Sequence, residues 1–305
     1  MRSVMVKNQP AKSLFFIGID GGGSKCRATI YSAEDNVMGT GVSGRANPLH
    51  GLSQTFESIQ LSTELALKDA GMSLTDCKYL VAGLGLAGVN VARLYQDVVN
   101  WQHPFADMYV TSDLHTACIG AHKGGDGAVI ITGTGSCGYA NVEGKDISLG
   151  GHGFALGDKG SGGWLGLKAA EQSLLHLDGF IEQTTLTRRL CDHLKVNNAL
   201  GIVESLAGES SSVYAKLARI VLECANQQDQ ASQIIVKEGA AYISELARKL
   251  FKINPPRFSM IGGLAEPLIP WLDKDVIARL SPALAPPELG ATYFARAQFA
   301  RKVSQ

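Results

Sequence analysis

The clearest restriction on the fold of this chain comes from a short apolar run that stops abruptly at an aspartate and three glycines. Residues 14–19 are almost entirely apolar and predict a short buried strand. The next residues are Asp20, Gly21, Gly22, Gly23 and Ser24, after which residues 25–31 predict a second strand. Because glycine has no Cβ, the backbone N–H groups of such a turn can approach an anion closely. The Asp20 carboxylate would repel a phosphate, so its position indicates a divalent cation between the two, held through water.

The same pattern recurs in the middle of the chain. Residues 128–132 are again apolar and predict a strand, and a return strand is predicted over residues 138–142. The loop between these strands consists of Thr132, Gly133, Thr134, Gly135 and Ser136. A single glycine-rich turn would be equally typical of an ordinary hairpin. The recurrence of strand, glycine loop and return strand favours two anion-binding loops of one design.

Length, charge and cysteine content exclude several classes of protein. The 305 residues suffice for one large or two moderate domains, each with its own core. Lys plus Arg and Asp plus Glu both number 28, and this neutral balance argues against a nucleic-acid or membrane-surface partner. The six cysteines form no CxxC pair and predict reduced thiols in a cytoplasmic protein. Residues 1–13 are expected to be a loose leader. The apolar run after them is too short for a signal peptide and ends at Asp20 without a small-residue cleavage site.

The order of predicted elements is repeated in the two halves of the chain. Each half reads as strand, glycine loop, strand, turn, strand, helix and strand, ending in a further glycine junction. The predicted strands cover residues 14–19, 27–31, 37–42, 79–81 and 108–111 in the first half, and 128–132, 138–142, 146–149 and 258–261 in the second. The main predicted helices cover residues 53–69, 91–101, 114–121, 164–177, 187–194, 212–226, 231–250 and 288–303. Such a duplication predicts two similar α/β domains whose loops line one cleft, with ligands at the carboxyl ends of the strands.

Four stretches together resemble the actin/Hsp70/sugar-kinase superfamily, namely residues 20–24, Asp113, residues 132–136 and residues 261–264. Within it, the chain is most similar to the N-acetylglucosamine and glucosamine kinases of the BadF/BadG/BcrA/BcrD ATPase group. The additional marks are Ala46-Asn47, Thr111-Ser112 before Asp113, Gly150-Gly151, and the run from Gly157 to Ser161. The resemblance extends from about residue 16 to about residue 296.

The resemblance implies an α/β fold of two ribonuclease-H-like (actin-like ATPase) domains with an interdomain cleft. Residues 1–119 with 288–305 would form one domain, and residues 120–287 the other. ATP and Mg²⁺ are the implied cofactors, with phosphates on the two glycine loops, adenosine at Gly262 and Gly263, and Mg²⁺ near Asp20 through water. The implied partners are ATP and a small amino sugar, without nucleic acid or membrane, and a homodimer stays open.

The resemblance also assigns the sugar site. It implies that Asp113 is the general base and a ligand of a sugar hydroxyl, although an aspartate before a helix is more commonly an N-cap. Asp158 would be a second hydroxyl acceptor, with a turn-forming aspartate as the alternative. Asn47 would bind the sugar, or be a plain residue before Pro48. The remaining substrate-binding residues implied by the family are Ala87, Gly88, Gly151 and His152.

Several features depart from related families or carry weaker signals. The clustered Cys/His motif and helix-turn-helix leader of the ROK family are absent, as is the cysteine pair of the iron–sulfur activators. His152 stands where the vertebrate acetylglucosamine kinases have tryptophan. Cys118 and His122 could be read as a metal site, but a thiol on a short helix is more typical of a core. Lys25 and Lys159 would either contact ATP or lie on a solvated surface.

The expected reaction is transfer of the γ-phosphoryl group of ATP to the 6-hydroxyl of N-acetylglucosamine. Glucosamine is the alternative substrate, and an ATPase switch or activator that acts on no sugar is the alternative class. The preference for the acetylated sugar depends on residues 84–90, which the resemblance places beside the 2-substituent and which contain no carboxylate for an ammonium group. A sugar-sensing regulator is disfavoured by the neutral charge of the chain.

Overall fold

The computed structural model describes residues 14–304, and the predicted leader over residues 1–13 lies outside the described residues. The chain divides into two compact units. The first contains residues 14–120 together with residues 286–304, and the second contains residues 121–285. Each unit combines one β-sheet with helices and has its own apolar core.

The first unit is a five-stranded sheet with helices packed on it. Its strands are β1 (Phe15–Gly21), β2 (Cys26–Tyr31), β3 (Val37–Ser43), β4 (Leu80–Leu86) and β5 (Asp107–Ser112). Its α-helices are α1 (Leu52–Asp69), α2 (Ala92–Val99), α3 (Asp113–Ala121, whose last residue belongs to the second unit) and α12 (Pro287–Val303), with 3₁₀ turns at Pro48–His50 and Leu74–Tyr79. The strand order is β3-β2-β1-β4-β5, with β1–β3 antiparallel and β1, β4 and β5 parallel.

Glycines inside the strands of this sheet let helices lie directly on it. A Cβ on Gly83 would lie 2.0 Å from the Ala291 carbonyl oxygen of α12, and a Cβ on Gly85 would lie 2.0 Å from Thr116 Oγ1 of α3. The predicted strand over 79–81 was therefore too short. Residues 82–86 continue β4, because these glycines provide close helix–sheet packing and are not loop residues.

The second unit repeats the first three strands and then diverges. Its strands are β6 (Gly127–Thr132), β7 (Ser136–Val142), β8 (Lys145–Gly150) and β9 (Phe258–Ile261), in the order β8-β7-β6-β9. Where the first unit has β5, the described residues show only an isolated parallel bridge between Phe258 and Leu280. Between β3 and β4 the first unit has one α-helix, α1, whereas the second unit has six α-helices between β8 and β9. These are α4 (Gly162–Leu177), α5 (Thr185–Leu194), α6 (Ala199–Leu206), α7 (Ser211–Ala215), α8 (Ala218–Asn226) and α9 (Gln230–Leu250). The short helices α10 (Ala265–Leu268) and α11 (Lys274–Ile277) and 3₁₀ turns at Phe251–Ile253 and Ile269–Trp271 complete the unit.

The helix predicted over residues 212–226 is in fact two helices. The Lys216 and Leu217 N–H groups donate to the carbonyls of Val213 and Tyr214, three residues earlier, so the backbone tightens between α7 and α8. Helix α6 was not predicted, although its N-cap, Asn198, accepts a hydrogen bond from the Gly201 N–H at 2.9 Å. Across the described residues, no helix combines the length and apolarity needed to cross a bilayer.

Candidate active site

Parallel strands bring several predicted site residues to one edge of the first sheet. Asp20 of β1 pairs with Gly85 of β4, which pairs with Thr111 of β5. The carboxyl ends of the three strands therefore lie side by side. The segments that follow them are the 22–24 loop, the turn that begins at Ala87, and α3, which begins at Asp113. This is the edge at which open α/β sheets bind ligands.

The first glycine loop is a tight and open turn. The Gly22 N–H donates to the Lys25 carbonyl at 2.9 Å, which closes the turn. Gly23 and Ser24 are exposed, and a Cβ on Gly23 would meet no atom within 4 Å. Gly21 needs its small size for a different reason, since a Cβ there would lie 2.5 Å from Leu86 Cδ2. The exposed part of the loop can therefore accept an anion against its backbone.

Asn47, Ala87 and Gly88 gather beside this loop. The Ala87 N–H donates to the Gly21 carbonyl at 2.9 Å, and a Cβ on Gly88, at φ +83°, would lie 2.3 Å from Asn47 Oδ1. Asn47 is more than a residue before a proline, because its Oδ1 accepts the Leu49 N–H at 2.9 Å and caps the turn over Pro48–His50. Because Oδ1 is used in this cap, the amide NH₂ group of Asn47 can donate hydrogen bonds to a ligand.

Asp113 begins α3, but another residue caps this helix. The Ser112 hydroxyl oxygen accepts the His115 N–H at 3.2 Å, as an N-cap does. The Asp113 Oδ1 accepts the neighbouring Leu114 N–H at 2.9 Å. Burial raises the pKa of the Asp113 carboxyl to about 6, although backbone hydrogen bonds oppose the shift. A carboxylate with a raised pKa at a strand end is suited to accepting a proton.

Asp20 lies among other acidic groups. Burial, followed by repulsion from Glu288 and then from Asp113, raises the pKa of Asp20 to about 7, while Lys25 and Arg27 oppose this rise. Glu288 is in the first turn of α12 and is only 5% exposed. Sequence reasoning did not single it out, because a glutamate in the first turn of a helix is common at that position for its favourable interaction with the helix dipole.

The second glycine loop lies against the start of α4. The Gly162 N–H donates to the Gly133 carbonyl at 2.8 Å, and the Gly163 N–H donates to the Thr134 carbonyl at 3.1 Å. Ser161 caps α4 by accepting the Trp164 N–H at 3.2 Å. Thr132 Oγ1 is buried and has no hydrogen-bond partner in the described part of the chain. The N–H groups of Gly162, Gly163 and Trp164 are therefore occupied, so an anion at this loop would be attracted by the loop backbone, the unused Thr132 hydroxyl and the positive end of the α4 dipole.

Asp158 packs against this second loop. Its Oδ1 accepts the Gly153 N–H at 3.2 Å, and a Cβ on Gly135 would lie 2.6 Å from its Oδ2. Asp158 is at φ +59°, and burial raises the pKa of its carboxyl. The Gly151 N–H donates to the Ser136 carbonyl at 3.0 Å, which holds the segment after β8 beside the loop. Gly151 and its neighbour His152 are exposed there.

A cavity of about 610 Å³ extends from the second loop to the glycine turn after β9. Gly262, at φ +103°, approaches the loop so closely that a Cβ would lie 2.3 Å from the Thr132 carbonyl oxygen. The walls are contributed by Gly133, Thr134, Gly162, Gly263, Leu264 and Pro267, and by Ala215, Ala218, Arg219, Leu222, Glu223 and Asn226. Sequence reasoning missed the last six, because residues 212–226 were predicted only as a helix and contain no glycine cluster or strand end that would indicate a site.

Three side chains with open roles, Lys159, Cys118 and His122, have structural surroundings that account for them. Lys159 forms an ion pair with Glu238 at 2.8 Å and lies over the Trp164 ring. Cys118 is buried, and His122 Nε2 lies 3.1 Å from the Ala128 carbonyl oxygen, to which it must donate. Burial lowers the pKa of His122. These contacts favour the core interpretation of Cys118 and His122.

Comparison with known proteins assigns the family. The model of the BadF/BadG/BcrA/BcrD ATPase family matches residues 17–295, which includes both glycine loops, Asp113 and Glu288. The chain belongs to this family. Solved structures of sugar kinases share its fold, which confirms the predicted pair of ribonuclease-H-like domains.

Several proteins with similar sequences are named as amino-sugar kinases. The chain is 31% identical over 266 residues to the glucosamine kinase of Vibrio cholerae, covering 86% of this chain and 89% of the relative. It is 29% identical to the N-acetylmuramic acid/N-acetylglucosamine kinase of Clostridium acetobutylicum, covering 74% and 76%. The crystal structure of a candidate N-acetylglucosamine kinase from Chromobacterium violaceum superposes with a TM-score of 0.87 at 26% identity, covering 93% and 99%.

Proposed function

We propose that this BadF/BadG/BcrA/BcrD ATPase family member is an ATP-dependent amino-sugar kinase that phosphorylates the 6-hydroxyl of N-acetylglucosamine. The observation that carries the proposal is the Asp113 carboxylate, which has a raised pKa and is released from capping by Ser112. Transfer of a phosphoryl group to an alcohol needs a base near the hydroxyl and donors that hold the phosphates. Asp113 supplies the first, and the two glycine loops supply the second.

The proposed roles follow from the local contacts. Asp113 Oδ2 would accept the proton of the 6-hydroxyl, while Oδ1 keeps its bond to the Leu114 N–H and so fixes the carboxylate. The Asn47 amide, the backbone at Ala87 and Gly88, and the Asp158 carboxylate would bind the other hydroxyls, with Gly151 and His152 at the edge. These groups are fixed by hydrogen bonds or close packing, which favours an oriented substrate.

The nucleotide would bind mainly through the second unit. Its phosphates would contact the backbone of residues 132–136, near the positive end of the α4 dipole, and its adenosine would occupy the 610 Å³ cavity beside Gly262 and Gly263. In the first unit, the exposed turn at Gly23 and Ser24 would offer its backbone to a phosphate. The mixture of apolar walls and a few polar side chains in the cavity is typical of a site for a planar base.

The residues near Asp20 fit a magnesium ion. The group there offers carboxylate oxygens, which Mg²⁺ prefers, and Asp20 and Glu288 are close enough for their charges to repel. Among residues 14–304 no cluster of three His, Cys, Asp or Glu side chains has metal-binding geometry. In kinases, Mg²⁺ is usually bound by one or two carboxylates together with water molecules and substrate phosphates. When bound, the ion would neutralise charge on the phosphates.

The choice between the two amino sugars depends on the corner formed by Asn47 and Gly88. Neither this corner nor the turn that begins at Ala87 contains a carboxylate that could pair with the ammonium group of glucosamine. A neutral amide is therefore the better match, which supports N-acetylglucosamine. Glucosamine is the second candidate, because a 31% identical relative is named for it.

A coupled ADP-release assay tests this proposal. We expect kcat/KM for N-acetylglucosamine to exceed that for glucosamine, N-acetylmannosamine and glucose by at least about tenfold, a difference of about 1.4 kcal/mol in transition-state binding. A preference for glucosamine would overturn the substrate assignment and leave the kinase mechanism in place. If none of the four sugars accelerates ADP release, the sugar-kinase proposal is wrong.

The raised pKa of Asp113 predicts a pH dependence. A base must be unprotonated to act, so kcat/KM for the sugar should be level above pH 7 and fall about tenfold per pH unit below the pKa of about 6. The assay uses saturating ATP and Mg²⁺, because a cation bound near Asp20 would favour the ionised form of that carboxyl. The control is the residual activity of Asp113→Asn, which should lack this acidic limb. An unchanged limb in that variant would assign the titration to another group.

A further inference from the structure

The first turn of α12 places Glu288 over the strand that carries Asp20. A Cβ on Gly18 would lie only 1.7 Å from the Glu288 carbonyl oxygen, so the helix contacts β1 directly at this point. Gly18 and Asp20 are two residues apart on one strand and therefore face the same side of the sheet. Glu288 and Asp20 consequently share the face on which α12 packs.

The Glu288 carboxylate is only partly satisfied. Its Oε1 forms an ion pair with Arg27 Nε at 3.3 Å, and within residues 14–304 Arg27 Nε makes no aligned hydrogen bond. Its Oε2 is buried and has no hydrogen-bond partner among the described residues. A buried carboxylate oxygen without a donor is costly, since the charge has lost its hydration. A group that carries positive charge or ordered water would remove this cost.

The charged groups around Glu288 favour the binding of a cation. Asp20, Asp113 and Glu288 are acidic, while Arg27 and Lys25 are basic, which gives one net negative charge at neutral pH when all five are ionised. Arg27 lies opposite Asp20 in the β1–β2 ladder, and its charge acts on the Asp20 carboxyl while its side chain pairs with Glu288. Because the charge of one arginine acts on two nearby carboxylates, negative charge remains there that a divalent cation would offset.

We propose that Glu288 is the second carboxylate of the magnesium site, its Oε2 providing an oxygen to the hydrated cation that Asp20 also holds. This inference rests on the proposed function, because it assumes a metal-bound nucleotide. Glu288 is a positioning residue in this account, since it acts on the phosphates only through the cation. The competing explanation is that Glu288 merely anchors α12 to β2 through Arg27.

Calorimetric titration with a non-hydrolysable ATP analogue, with and without Mg²⁺, separates these explanations. Glu288→Gln keeps the shape and removes the charge, so we expect the Kd with Mg²⁺ to rise by about tenfold and the Kd without metal to stay within about twofold. Arg27→Met is the matched control. It breaks the same ion pair but keeps the carboxylate, so the gain in affinity on adding Mg²⁺ should be at least as large as in the unmodified protein.

The outcomes are distinct. Equal loss of affinity with and without Mg²⁺ in both variants would show that Glu288 is only an anchor. An unchanged magnesium dependence in Glu288→Gln would also overturn the inference, while leaving the proposed function intact. If the unmodified protein binds the analogue no better with Mg²⁺ than without, the proposed function fails as well. Glu288→Asp moves the carboxylate back by one methylene group and should lose part of the gain in affinity on adding Mg²⁺. It replaces Glu288→Gln as the test if the glutamine variant folds poorly.

Discussion

Replacing Asp113 with asparagine is expected to lower kcat by about two to four orders of magnitude while the amino sugar still binds. The amide keeps the shape of the side chain and can still accept the Leu114 N–H, so the start of α3 should be preserved. It cannot take up the proton of the sugar hydroxyl. The measurement is steady-state ADP release together with calorimetric sugar binding, and we expect the sugar Kd to change by less than about fivefold.

Asp107→Asn is a suitable control for this variant. Asp107 lies at the opposite end of β5, where it accepts hydrogen bonds from Tyr109 Oη at 2.9 Å and Lys302 Nζ at 2.7 Å. The same chemical change there should affect stability and leave kcat within about twofold, as for surface substitutions away from a site. If Asp113→Asn retains near-normal turnover, Asp113 is not the base, and its raised pKa has no catalytic meaning.

Adding one methyl group at Gly133 should weaken ATP binding by about ten- to a hundredfold without unfolding the protein. A Cβ at this position meets no protein atom within 4 Å, and the backbone does not have a positive φ that would exclude alanine. The methyl group of Gly133→Ala would therefore strain nothing in the protein itself. It would stand where the phosphates need to approach the backbone of the second loop.

Gly263→Ala provides the comparison, because its Cβ also enters open space and the residue lines the same cavity. Gly133→Ala should weaken ATP binding and leave adenosine binding nearly unchanged, whereas Gly263→Ala should weaken both. Calorimetry with ATP and with adenosine, and thermal melting to verify folding, provide the measurements. Unchanged ATP affinity in Gly133→Ala would mean that residues 132–136 form only a hairpin.

The strand pattern of both units could be predicted from sequence because the signals are local. Apolar runs that end in glycine clusters marked β1 and β6, and the turns after them marked the return strands. The length of β4 could not be predicted in this way. Gly83 and Gly85 have the composition of a loop, and only the approach of α12 and α3 explains their place in a strand. Tertiary packing of this kind leaves no local pattern.

The site was predictable only in part, for a related reason. Asp20, Asp113 and the glycine loops stand at strand ends, where the order of elements itself indicates a ligand site. Glu288 lies far along the chain from Asp20, and only the packing of α12 on β1 brings it there. Arg219 and Asn226 belong to a helix whose apolar spacing describes its buried face. Their contribution to the cavity depends on the exposed face, which carries no distinctive pattern.

The central claim is that the chain transfers a phosphoryl group from ATP to a sugar hydroxyl, and product analysis tests it most directly. The purified protein would be incubated with ATP, Mg²⁺ and N-acetylglucosamine, and the products followed by ³¹P nuclear magnetic resonance with correlation to sugar protons. Our account predicts ADP together with a phosphomonoester whose phosphorus couples to the two protons on carbon 6. Formation of ADP and inorganic phosphate, with no phosphorylated sugar, would contradict it and indicate an ATPase switch.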